Sequence, residues 1–323
     1  MRIICGTSGY DYQEWVGAER FYPPGLAGRR SEWLTYYASQ FPIAELNFTY
    51  YGVTSPQQLE NMLARTDPRR TVNLLEGEFR PLAGFQFTIK AYAALTHQID
   101  DGWRGHAGKF REDIAPLTES GRLLGVLAQF PPRFHISSEA LRYVLALAEA
   151  LAPNRLIAEF RHADWLRAKP RAELLMHGIV VCGIDAPEAA GMPSAFATDE
   201  TSVSAGGRPS LAAPVGQASS LPVEDAGKMP APPASVPFRY LRLHGRREET
   251  WWTGDAASRY DYLYSEPQLR KLAARLLKSE MDTIYVMFNN HRHANAAKNA
   301  RQLQEIVNAL LGQGSGTGPR LET

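Results

Sequence analysis

The feature that most constrains this chain is a rhythm. Eight short apolar, β-prone runs recur along it, and a helical pattern fills every interval between them but one. The runs are Ile3–Thr7, Ile43–Asn47, Phe85–Lys90, Leu123–Gln129, Leu156–Arg161, Ile179–Asp185, Phe238–His244 and Thr283–Asn290. The helical patterns are Ser31–Gln40, Pro56–Arg65, Phe110–Glu119, Ser137–Leu151, Ala163–His177, Pro267–Lys278 and Ala294–Leu311. The unit is plainest at IYVMFNNHRHANAAKNA, Ile284 to Ala300, where an apolar run stops in polar residues and turns at once into a helix. That is a βα unit of a parallel sheet, and its polar residues stand at the carboxyl end of the strand, where such folds keep their chemistry. Eight such units predict an α/β fold, a single (β/α)8 TIM barrel over residues 1–312. A doubly wound sheet is the alternative, but GTSG at Gly6–Gly9 lacks the third glycine of a dinucleotide fingerprint.

The empty interval follows the sixth run. Thr198–Pro237 is rich in Ala, Gly, Ser and Pro without an apolar period, so it reads as a disordered insertion, inert or a lid. Gly312 reads as the stop of the last helix and residues 313–323 as a disordered tail.

Strand side chains alternate faces, so polar residues at i and i+2 share one side. Glu45 with Asn47, Thr88 with Lys90, Glu159 with Arg161, and Arg242 with His244 are such pairs. Their neighbours Ala44, Leu46, Phe87, Ile89, Ala158, Phe160, Leu241 and Leu243 are apolar. The outer face of a barrel packs on helices and must be apolar, which sends the polar pairs into the lumen. Gln129, Asp185 and Asn289 belong to the same strand ends. Buried charges are costly unless they pair with each other or bind something, so the set is an ion-pair plug or a ligand site. Aromatic residues crowd the loops above: Tyr10, Tyr12, Trp15, Phe48, Tyr50, Tyr51, Trp165, Trp251, Trp252, Tyr260, Tyr262 and Tyr264. Such a rim packs loops or stacks a ligand.

The net charge of +1 implies neither nucleic acid nor an anionic membrane. No apolar run is long enough to span a bilayer, and MRIICGTSGY does not read as a signal peptide. Cys5 and Cys182 both fall in predicted strands and read as buried reduced thiols, so the expected compartment is the cytoplasm.

The motifs GTSGYDYQEW, ELNFTYY, FTIKAYAALTH, LAQFPPRF, AEFRHADW, YLRLHGR and FNNH…NA, in that order, resemble the family called domain of unknown function 72. The resemblance spans Gly6 to Ala300 apart from the insertion. It implies a TIM barrel with its site at the strand ends and brings no reaction with it. The family motif falls here on Gly6, Ser8, Gly9, Glu45, Asn47, Lys90, His97, Gln129, Glu159, Arg161, Trp165, Asp185, Arg242, His244, Gly245, Asn289 and Asn290. Tyr10 replaces a usual tryptophan, and Tyr92 and Ala94 replace a proline and an arginine after the lysine.

Three functions are compatible with this set. The first is a metal-independent enzyme, a hydrolase or an isomerase or lyase, acting on a small polar anion that bears phosphate or carboxylate. Glu45, Glu159, Asp185 and His244 are its candidate acid–base groups. Ser8, Asn47, Lys90, Gln129, Arg161, Arg242, Asn289 and Asn290 are its candidate substrate contacts, with Lys90, Arg161 and Arg242 as the anion clamp and Arg246 nearby. No cofactor is called for. The second is a metal-dependent phosphodiesterase, nuclease or isomerase, but Lys90, Arg161 and Arg242 would crowd a cation, and no HxH or HExxH spacing is present. The third, a non-catalytic binder of nucleic acid, is disfavoured by the near-neutral charge.

Overall fold

The computed structural model describes residues 1–187, 236–249 and 256–314. Its strands are β1 (Arg2–Ser8), β2 (Ile43–Leu46), β3 (Val72–Leu74), β4 (Gly77–Phe79), β5 (Gln86–Lys90), β6 (Leu123–Phe130), β7 (Leu156–Phe160), β8 (Val180–Val181), β9 (Gly183–Asp185), β10 (Arg239–Leu243) and β11 (Thr283–Phe288). Nine of them form one sheet in the order β8-β7-β6-β5-β2-β1-β11-β10-β9, with every neighbouring pair parallel. Its two edges, β8 and β9, are separated in the chain by Cys182 alone, so the sheet curls round to meet itself as a nearly closed barrel. The sixth predicted run is thus a single strand broken into two pieces. The hairpin β3–β4, the one antiparallel pair among the described residues, was not expected from the sequence.

The helices, all but the short and unexpected α7, follow the predicted rhythm: α1 (Arg30–Gln40), α2 (Pro56–Arg65), α3 (Trp103–Asp113), α4 (Ala115–Glu119), α5 (Ser138–Ala150), α6 (Ala168–Met176), α7 (Ala256–Arg259), α8 (Glu266–Leu276) and α9 (Asn295–Gly314). Local chemistry sets their starts. Ser55 and Ser137 accept from the backbone N–H of Gln58 and Ala140, and Pro56 opens its helix where a missing N–H costs nothing. Three boundaries differ from expectation. The Phe110–Glu119 pattern begins earlier, at Trp103, and is interrupted at Ile114 just before Pro116. Ala163–His177 divides into a 3-10 turn, Ala163–Leu166, and α6. Gly312 does not stop α9, which runs on to Gly314. One helical glycine costs only about 1 kcal/mol against alanine, too little to end a helix docked through Leu303, Ile306 and Val307. The proposed insertion lies outside the described residues except Val236 and Pro237, as does the tail from residue 315.

Alternation sorts the strands into two apolar clusters. Outward residues, among them Ala44, Leu46, Phe87, Ile89, Ala158, Phe160, Leu241 and Leu243, join the helices in the larger one. Inward residues of the amino-terminal half form the smaller one from Ile43, Leu127, Ile157, Val180, Cys182, Phe238, Tyr240, Tyr285 and Met287. Cys5 and Cys182 are buried and unbridged. Gly6 lines the barrel where a Cβ would sit 2.5 Å from the Ile43 carbonyl, so β1 and β2 approach closely because that residue has no side chain. Among the described residues, no helix is long and apolar enough to cross a membrane.

Candidate functional site

Above the apolar plug, at the carboxyl ends of the strands, the lumen changes character. Arg242 of β10 lies at its centre, fully buried. Its Nε and Nη2 donate to the two carboxylate oxygens of Glu45 at 3.0 and 2.7 Å, a bidentate fork. Nη2 also donates to Ser8 Oγ at 2.9 Å, while Nη1 donates to Glu159 Oε2 and reaches Gln129 Oε1 at 3.4 Å. Ser8 donates to Glu45 and accepts from Asn47 Nδ2 at 2.8 Å. Tyr240, two residues before Arg242 on the same face, donates its hydroxyl to Glu45 Oε2 at 2.8 Å and meets Thr88 at 2.8 Å. Glu45 therefore accepts four hydrogen bonds, from Ser8, Tyr240 and two nitrogens of Arg242.

Glu159 is shared. Arg161 Nε donates to its Oε1 at 3.0 Å, and His244 Nε2 lies 3.6 Å from that same oxygen. Burial pushes the Glu159 carboxyl up, but Arg242, His244 and Arg161 together outweigh it and hold the group well below the usual carboxylate range. Burial instead moves His244 down to about 4. Asn289 Nδ2 donates to His244 Nδ1 at 2.9 Å, so the neutral ring carries its proton on Nε2, toward Glu159.

Two cationic side chains are only partly engaged. Arg161 hydrogen-bonds Glu159 and the phenol of Tyr260, leaving Nη2 buried with no acceptor among the described residues. Lys90, 9% exposed at the end of β5, has no carboxylate within ion-pair distance among the described residues. Its Nζ instead sits 4.1 Å from the centroid of the Tyr50 ring. Burial, reinforced by Arg242, lowers Lys90 to about 8. Lys90 in turn helps burial push His97 down to about 4. Beside these cations Tyr260 is lowered as well, because Arg161 overrides the effect of burial. The layer thus sets Lys90, Arg161 and Arg242 against Glu45 and Glu159, with one positive charge in excess.

Of the residues expected at the site, Ser8, Glu45, Asn47, Lys90, Gln129, Glu159, Arg161, Arg242, His244 and Asn289 share this layer. Asp185 does not join it: Arg246 holds it bidentately at 2.8 and 2.6 Å, with Tyr264 OH at 3.4 Å. Arg246 is thereby engaged with a carboxylate at the rim. Asn290 is also set apart, donating to the Tyr262 carbonyl and Asn299 at 2.8 and 2.9 Å, so it braces the loop before α8 against α9. Gly245, with φ +95°, makes the turn between His244 and Arg246, where a Cβ would meet Tyr262 at 2.6 Å. Tyr240 joins the layer without standing among the expected residues, although the alternation in Tyr-Leu-Arg-Leu-His places it on the inner face. Most of the aromatic rim packs loops. Trp165 stacks on Phe160 and Phe134 and donates to the Phe134 carbonyl at 2.8 Å, and Tyr12 stacks on His291. Trp251 and Trp252 lie outside the described residues.

A divalent cation would compete for oxygens that Arg242 already holds between Glu45 and Glu159. Among the described residues no group of three His, Cys, Asp or Glu side chains is placed to hold a metal ion.

The family model "Protein of unknown function DUF72" matches residues 4–320. The chain is 25% identical to the UPF0759 protein YunF of Bacillus subtilis (strain 168), over 98% of each chain. It resembles the crystal structure of a DUF72 family protein from Thermotoga maritima MSB8 at 30% identity and a TM-score of 0.67, covering 95% of this chain and all of that one. A DUF72 family protein from Enterococcus faecalis V583, at 20% identity, shares the fold with a TM-score of 0.66, covering 95% of this chain and 96% of that one.

Proposed function

This chain belongs to the DUF72 family, and from that premise we propose that it is a metal-independent enzyme acting on a small anionic substrate at the carboxyl ends of the barrel strands. The observation that carries the reading is the pair of underused cations. Arg161 Nη2 is a buried donor with no acceptor, and Lys90 Nζ has no carboxylate partner, among the described residues, in a layer that already holds one positive charge in excess. A buried donor left unsatisfied costs about 1–3 kcal/mol, more for a charged one, and a phosphate or carboxylate removes that cost. Gln129 and Asn47 stand beside the cations as neutral polar contacts.

The acid–base roles divide according to environment. Glu159, held ionised, and Glu45, filled with hydrogen bonds, fix Arg242 in place. His244, neutral above about 4, sits beside Glu159 with its Nε2 3.6 Å from the carboxylate. Lys90, near 8, exchanges its proton close to neutral pH and is the group suited to general acid–base work. A thermal-shift titration with inorganic phosphate and with sulfate tests the reading. Both raise the melting temperature of the wild type, and Lys90→Met or Arg161→Gln removes most of that rise. An equal rise in both variants sinks the assignment.

A further inference from the structure

We propose that Lys90 is a covalent catalytic residue: its amine forms an imine with the carbonyl carbon of a small oxo-acid whose anionic group rests on Arg161. The inference rests on the anion-site reading above and adds the substrate's reactive group. Three observations lead to it. A lysine that is buried as a charge calls for a carboxylate partner, and even the half-exposed Lys109 has one in Asp113. Lys90 instead faces an aromatic ring at 4.1 Å, with Arg161 and Arg242 discouraging its protonation. Lys90 is only 9% exposed, and β5 delivers its amine to the inner face, the same face as Thr88. A desolvated lysine among cations is an activated nucleophile. Finally, the unsatisfied Nη2 of Arg161 keeps hold of the anionic group when Lys90, uncharged, turns from that group to the carbonyl carbon.

The step balances without a co-reactant. The neutral Nζ gives its lone pair to the carbonyl carbon while the C=O π pair moves onto oxygen. One nitrogen proton passes to that oxygen, giving the carbinolamine. Loss of the hydroxyl with the second nitrogen proton, as water, leaves the C=N bond, and hydrolysis reverses the sequence.

The test is reductive trapping. The full-length protein is incubated with glyoxylate and sodium cyanoborohydride and mapped by peptide mass spectrometry. Cyanoborohydride delivers hydride to the imine carbon and fixes the adduct as a secondary amine. Lys90 is expected to be labelled at least roughly tenfold faster than the exposed Lys109, Lys169 and Lys271, with inorganic phosphate suppressing Lys90 alone. Lys90→Arg, which retains the charge, should still be stabilised by phosphate and carry no adduct at that position. Labelling of the exposed lysines with Lys90 spared overturns the imine. If phosphate still stabilises the wild type in that case, the anion-site reading stands without it; if phosphate has no effect, both fall.

Discussion

The two halves of the barrel lumen are built by the same strands with the same alternation, yet they do opposite things. The amino-terminal half is filled by Ile43, Leu127, Ile157, Val180, Phe238, Tyr285 and Met287, and its cohesion is apolar contact. The carboxyl-terminal half holds two buried carboxylates and three cations, an assembly that hydrophobic residues of similar volume would often match or exceed in stability. The difference teaches that apolar burial accounts for the cohesion of the lower half, whereas the buried ion pairs of the upper layer are no evidence of added stability.

Two substitutions of similar cost break the comparison most sharply. Phe238→Ala in the lower half should destabilise by about 3–5 kcal/mol through the cavity it leaves, with little dependence on pH. Arg242→Ala should also cost about 3–5 kcal/mol, because Glu45 and Glu159 lose their shared cation while still buried. Its deficit should shrink at acid pH, where Glu159 can protonate. Urea denaturation at pH 7 and pH 5 separates them; equal deficits at both pH values for Arg242→Ala would mean that the layer is not electrostatically coupled.

His244 sharpens the contrast in the wild type. Its folded value, about 4, is below the ordinary 6.5, so between those limits the unfolded chain binds more protons than the folded one. Stability should therefore rise with pH from about 4 to 6.5 and be lost on acidification, by on the order of 3 kcal/mol. His244→Asn should flatten that slope in denaturation curves taken across the window.

The smallest effect is expected at Lys90. Lys90→Met removes a buried cation that has no carboxylate partner, so stability at pH 7 should stay within about 1 kcal/mol of the wild type or exceed it. Because Lys90 is lowered from 10.5 to about 8, the wild type should gain stability as pH rises through that interval, and the variant should not. A loss of several kcal/mol at pH 7 would show Lys90 to be structural.

Much of this was legible in the sequence. Period-two alternation placed Glu45, Lys90, Glu159, Arg242 and His244 on the inner face, and strand ends placed them at one level. What alternation does not encode is pairing across strands. Asp185 occupies the expected level, but the chain turns at Gly245 and brings Arg246 back onto it. Asn290 follows Asn289 directly and so points elsewhere, toward Asn299. Nor can the sequence say which of three cations is left over, because Arg242 takes both carboxylates only by reaching across the lumen to β2 and β7.

The central claim is that the upper layer holds a buried place for an anion between Lys90 and Arg161. A crystal structure of the wild-type protein grown with selenate, located by the anomalous signal of selenium, tests it most directly. The account predicts selenium density in the lumen with selenate oxygens in hydrogen-bond reach of Lys90 Nζ and Arg161 Nη2. Selenate found only on the outer surface, with those two nitrogens undisturbed, would contradict it.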